Sequence, residues 1–208
     1  MRIVKKAEER KNEILDAADA LFNTKGYDGT STNDILDKVG IARGTLYHHF
    51  KSKEDIMDAL IERYSIQFLA EARKIAVDSN IPVMERIIEV IKALNFNDHD
   101  NGKEMLNHIH RPQNALMNKK MDKMILTNVT PILTGIVEEG IELGVFKTPY
   151  PYETVEMIVV YVNTVFDHEM EVSEEEMMRR IQAFICNIEK VLGIKEGDFI
   201  PYMMKAFS

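Results

Sequence analysis

Ser31-Thr-Asn-Asp-Ile-Leu-Asp-Lys-Val-Gly40-Ile-Ala-Arg-Gly-Thr-Leu-Tyr-His-His-Phe50 sets two short helix signals around a glycine turn. Ser31 can cap the first helix, with Asp34 three residues on as the reciprocal acceptor. Ile35 and Val39 share one face. Gly40 closes the helix, because glycine takes the left-handed conformation that follows many helices. Ile41, Leu46 and Phe50 can pack back onto it, leaving Arg43, Thr45, Tyr47 and His48 pointing outward. A buried skeleton under an outward row of groove-capable donors is what a helix-turn-helix requires.

Helix signals continue on both sides. Ile14, Ala17, Ala18, Leu21 and Phe22 repeat on one face of a helix predicted over 7–24, and Gly26 to Gly29 form a turn. Ser52 can cap a long helix reaching about Ala76. Five more helices are expected: from Pro82 to about Phe96, Lys103 to His110, Asn114 to Leu143, Tyr152 to Glu169, and Ser173 to Leu192, with a short amphipathic tail after Gly197. Pro131 removes one intrahelical bond, so a kink or a split is expected there. Ser173 with Glu176 reads as a capping box. No stretch alternates apolar and polar residues strictly. The class is all-α, with about nine helices.

The chain has 208 residues, 45% of them hydrophobic, enough to bury a sizeable core. Its one cysteine, Cys186, cannot form an internal disulfide, which fits a reducing compartment. No charged-then-apolar leader opens the chain, and its longest apolar run, Met157 to Val162, is too short to cross a bilayer. A cytosolic protein is expected, with no membrane partner. The net charge of −8 is unevenly spread. Residues 1–53 hold ten Lys/Arg against eight Asp/Glu, and residues 54–208 hold sixteen against twenty-six. Arg2, Lys5, Lys6, Lys25, Lys38, Arg43, Lys51 and Lys53 supply local positive charge, which is what a phosphate-binding surface needs.

The first fifty-odd residues resemble the TetR family of bacterial transcriptional regulators. The resemblance is carried by Ile14-Leu-Asp-Ala-Ala18 with Leu21-Phe22, by Lys25-Gly26-Tyr27, and by Thr30 to Thr32. It continues through Ile35-Leu36, Val39-Gly40-Ile41, Gly44-Thr-Leu-Tyr-His-His-Phe50 and Lys51-Ser-Lys-Glu54. It implies a homodimer with a three-helix DNA-binding headpiece, residues 1–52, and a larger ligand-binding and dimerisation body, residues 53–208. It also implies phosphate contacts at Tyr47 and Lys53 with Thr32 and Thr45 assisting, and base-edge approach at Arg43, Gly44 and His48. One departure stands out. Ala42 precedes Arg43 where the family often has serine, and a missing cap costs a helix about 1 kcal/mol.

Several residues admit two readings. Arg43 can span the two acceptors of a guanine edge or bind phosphate alone. Tyr47 can divide itself between core and phosphate. His48 and His49 point about 100° apart on a helix and cannot share a metal. Asp98-His-Asp100, His108 and His110 have ligand chemistry but read as loop residues and pocket contacts; no metal and no cofactor is expected. Met105, Met117, Met121 and Met124 can be core, or can line an adaptable apolar pocket with Leu106, His108, Ile109, Ile125 and Tyr161. Val155, Ile158, Val159, Val162, Val165 and Phe166 form one stripe, and Ile181, Phe184, Ile185, Ile188, Val191 and Leu192 another. Met157, Val160 and Tyr161 widen the first stripe beyond one face, so these helices are expected to pair with a second copy.

No nucleophile elbow or phosphate-cradling glycine loop is present, so no enzyme is expected. The expectation is a repressor released from a palindromic operator in double-stranded DNA by a small, largely apolar effector. The alternative is a TetR-like adaptor or nucleoid-associated interaction protein without an effector.

Overall fold

The structure, a computed structural model, describes residues 7–94, 115–166 and 172–206, except the side chains of 67, 68 and 204–206. Among these residues there are nine α-helices and no strand. The expected helix from Lys103 to His110 lies outside them. The chain divides into two compact units, Met1–Ile66 with Asn101–Met121, and Gln67–Asp100 with Asp122–Ser208.

In the first unit, α1 (Ala7–Lys25) buries Ile14, Leu15, Ala17, Ala18, Leu21 and Phe22. Its apolar side chains recur every three or four residues, so they form one stripe. Gly26, at φ 76°, turns the chain. The Thr30 hydroxyl donates to the Gly26 carbonyl at 2.7 Å, and the Phe22 and Tyr27 rings meet at 5.3 Å. α2 (Thr32–Val39) has the expected capping box: Ser31 Oγ accepts from Asp34 N–H, and the Asp34 carboxylate accepts from Ser31 N–H. Gly40, at φ 72°, closes it by donating to the Leu36 carbonyl. α3 (Arg43–His49) buries Leu46, and Phe50 after it is also buried. Truncating Leu46 to alanine would cost roughly 2–5 kcal/mol by leaving a cavity under the helix. α4 (Lys53–Ala76) starts with Ser52 Oγ accepting from Asp55 N–H, while the Asp55 carboxylate accepts from Lys51 N–H, one residue before the position a capping box would use.

In the second unit, α5 (Val83–Ala93) buries Val83, Ile87, Ile88 and Val90. α6 (Ala115–Glu142) is one continuous helix through Pro131, so the expected split does not occur. Pro131 lies on the solvent side, and Thr127, whose carbonyl loses its N–H partner, is exposed to water. Gly140 leaves room for the buried Phe146 ring, which a Cβ would overlap. α7 (Pro151–Val165) carries proline in its first turn. α8 (Glu174–Val191) is capped by Ser173, but only half of the expected box forms, because the Glu176 carboxylate binds Arg180 instead. α9 (Ile200–Ala206) packs on α5. The buried carboxylate of Glu189 accepts from Gly197 and Phe199 N–H at 3.0 Å and fixes the approach to α9.

Candidate nucleic-acid interface

α3 keeps Leu46 under it and sends Arg43, Gly44, Tyr47 and His48 to solvent, while Thr45 is half-buried. Arg43 and Tyr47 are four residues apart and share a face. The guanidinium carbon lies 5.7 Å from the Tyr47 ring centroid, so the ring supports the cation while the phenol stays accessible. His48 and His49 meet edge to face at 5.2 Å. Burial, then the neighbouring His48 and Arg10, holds His49 below its ordinary value. Ala42 has the extended conformation of an N-cap but supplies no cap bond. Thr32, half-buried, opens α2.

Lys53 is placed differently from the surface lysine its sequence position suggests. Its ammonium donates to the Tyr27 carbonyl at 2.6 Å and the Thr30 carbonyl at 2.8 Å, and lies 4.0 Å from the Tyr27 ring centroid. Two of its three N–H groups thus hold the turn that delivers α2. Lys25 is paired as well, at 2.6 Å from Asp34. Hydrogen bonds from Lys25 and then Ser31 keep the Asp34 carboxyl well below the usual carboxylate range. Lys38 and Lys51 are exposed; Arg2, Lys5 and Lys6 lie outside the described residues.

Of the expected pocket, Met105, Leu106, His108 and Ile109, with His110 and the Asp98 to Asp100 loop, lie outside the described residues. Met121 is buried in the first unit, as is Met117; Met124 and Ile125 are half-buried in the second. Tyr161 stacks on Phe184 at 5.2 Å and lines an open depression with Glu153, Glu156, Met157, Val160, Thr164 and Val165. Among the described residues no group of three potential ligands is gathered to hold a metal ion.

Two family descriptions match this arrangement: "Bacterial regulatory proteins, tetR family" over residues 14–60, and "Tetracyclin repressor-like, C-terminal domain" over residues 93–187. The chain belongs to the TetR family. TetR-family proteins are transcriptional regulators rather than enzymes. The chain is 38% identical over 86 residues to the HTH-type transcriptional repressor KstR2 of Mycobacterium tuberculosis, covering 41% of this chain and 42% of that protein. It therefore spans well under two thirds of that relative's length. It is 29% identical over 136 residues to the fatty acid metabolism regulator protein of Bacillus subtilis, covering 65% of this chain and 70% of that protein. Among solved structures, SmeT, the repressor of the Stenotrophomonas maltophilia multidrug efflux pump SmeDEF, shares the fold with a TM-score of 0.63 at 20% identity. That match covers 90% of this chain and 91% of SmeT.

Within this TetR-family body, the expected pairing stripes are divided by burial. Val155, Val159, Phe184, Ile185 and Ile188 are already buried in one copy of the chain, and Ile158, Phe166 and Ile181 are half-buried. Phe166 and Phe184 meet edge to face at 5.4 Å. Apolar side chains left open on these two helices include Met157, Val160, Tyr161 and Val162 on α7 and Met178 on α8. No helix among the described residues is long and apolar enough to cross a membrane.

Proposed function

We propose that the chain is a ligand-responsive transcriptional repressor that binds a palindromic operator as a homodimer and is released by a small, largely apolar effector. The observation that carries this reading is the exposed row Arg43, Tyr47 and His48 on α3, seated by buried Leu46. In this reading Arg43 bonds a guanine edge, His48 and Gly44 approach neighbouring bases, and Thr32, Thr45, Tyr47 and the remaining N–H of Lys53 bind phosphates. Residues 1–52 form the DNA-binding part, and residues 53–208 the effector and dimerisation part. Binding to DNA, not catalysis, is the activity assigned, in the cytosol where that DNA lies.

The apolar residues open on α7 support dimerisation, in which a second copy would cover them by C2 pairing. The two α3 helices would then enter major grooves about 34–36 Å apart. Met124, Ile125 and Tyr161, with Met105, Leu106, His108, Ile109 and Met121, remain the proposed effector contacts.

Selection of duplexes from a random pool by the full chain tests the reading. Recovery of a short inverted repeat whose retention falls steeply with salt supports it. A shallow sequence preference supports an architectural adaptor instead, and no retention at low salt overturns DNA binding.

A further inference from the structure

Lys120 joins α6 to the base of the headpiece through two carboxylates. Its ammonium lies 2.9 Å from Glu54 and 2.7 Å from Asp58, both on the first turns of α4. The lysine side chain is only 20% exposed, while both carboxylates are more than half exposed, so the cation is the enclosed partner. The hydrogen bonds that Lys120 donates to Asp58 and then Glu54 hold its ammonium above its ordinary value, so it stays charged through the physiological range. Met117 and Met121, on the same side of α6 at an i, i+4 spacing, are buried at 1% and 3% exposure.

The contacts continue from there. Glu54 follows Lys53, whose ammonium holds the Tyr27 and Thr30 carbonyls, and the next residue, Ser31, caps α2. The α6 start thus touches the α4 start, which in turn holds the turn that delivers α2. Without Lys120, the Glu54 and Asp58 carboxylates would also stand uncompensated beside the segment proposed to meet phosphates.

We propose that Lys120 is a positioning residue that braces the start of α4, and through it the turn before α2, in the geometry that binds DNA. This rests on the DNA-binding reading above. It differs from a simple surface ion pair in predicting a change of DNA affinity without a matching loss of fold.

The test compares wild-type protein, Lys120→Met, Lys120→Arg and the charge exchange Lys120→Glu with Glu54→Lys, all in the full chain. The probe is a fluorescent duplex selected by the wild-type protein, and hydrogen exchange is followed in parallel. Lys120→Met should weaken duplex binding about five-fold or more, the lower range of coupling between linked sites. Exchange should rise at residues 27–31 and 53–58 and stay unchanged along the rest of α1. Lys120→Arg should keep most of the affinity, and the exchanged pair should recover part of it. A folded Lys120→Met that binds within two-fold of wild type, with unchanged exchange at those residues, overturns the proposal. If the wild-type chain selects no duplex, the DNA-binding reading fails, and the exchange pattern alone still decides whether Lys120 holds the turn.

Discussion

The guanidinium of Arg86 grips the Glu139 carboxylate with both terminal nitrogens, at 2.5 and 3.1 Å. Its other three N–H groups reach main-chain oxygens, two to Ile81 and one to Ala76 at the end of α4. Every donor of a side chain only 2% exposed is therefore used, and α4, α5 and α6 are tied at one point. Arg86→Ala should destabilise the chain by roughly 3–5 kcal/mol, because it strips a half-buried carboxylate and two carbonyls of their partner. Glu139→Gln keeps the shape and one acceptor, so its cost should be roughly 1.5–3 kcal/mol, that of a charged hydrogen bond. Urea unfolding with unchanged m-values checks both; equal losses for the two variants would contradict the shared role of the carbonyls.

Asp34 makes the junction of α1 and α2 sensitive to acid. Its carboxyl is held below the unfolded value by Lys25 and Ser31, so ionisation favours the folded state. That contribution is complete above the unfolded pKa of about 3.9 and is lost as pH falls through the folded value. Asp34→Asn should therefore lower the melting temperature at pH 6. The gap to wild type should narrow as the pH is taken below 4. A gap that stays constant with pH would mean that the carboxylate charge contributes nothing here.

Ala42 has the backbone of a cap without the side chain, at φ −73° and ψ 151°. Serine at this position can accept from the N–H groups of the first turn of α3 without changing the backbone. Ala42→Ser should stabilise the chain by about 0.5–1 kcal/mol and tighten duplex binding in the same direction. Melting temperature and duplex affinity are the two readouts. A stabilised variant with unchanged affinity would show that α3 is already fully formed in the free protein.

The headpiece was legible because its determinants are local. Ser31 and Asp34, Gly40, and Leu46 with Phe50 act over three or four residues, within the reach of periodicity and capping rules. The tail of Lys53 was not, because its partners lie 26 and 23 residues away. Lys120 and Arg86 reach across 62 and 53 residues, and nothing in their spacing announces those partners. Pro131 misled for a different reason. Its missing N–H was legible, but its solvent-facing position, which lets water take the freed carbonyl, depends on the packing of α6. The α7 stripes were read correctly as apolar on more than one side. Periodicity alone could not tell that Val155 and Val159 serve the protomer and that Met157 and Val160 remain open.

Arg43 and Tyr47 make the sharpest prediction because their proposed roles differ while their side chains touch. Arg43→Ala removes a planar donor pair from a base edge, so it should relax preference at one base-pair position by about 1–3 kcal/mol. Tyr47→Phe keeps the ring that supports the guanidinium at 5.7 Å and removes only the hydroxyl. It should weaken all duplexes by a similar factor and leave the order of preference intact. Arg43→Lys keeps the charge but loses the fork, so it should retain non-specific binding while losing the same base preference as Arg43→Ala. Binding to the selected duplex and to single-position variants, at two salt concentrations, separates these outcomes. If Tyr47→Phe also relaxed preference at the Arg43 position, the phenol rather than the ring would be holding Arg43 in register. If Arg43→Ala weakened every sequence alike, Arg43 would be a phosphate ligand, and base reading would pass to His48.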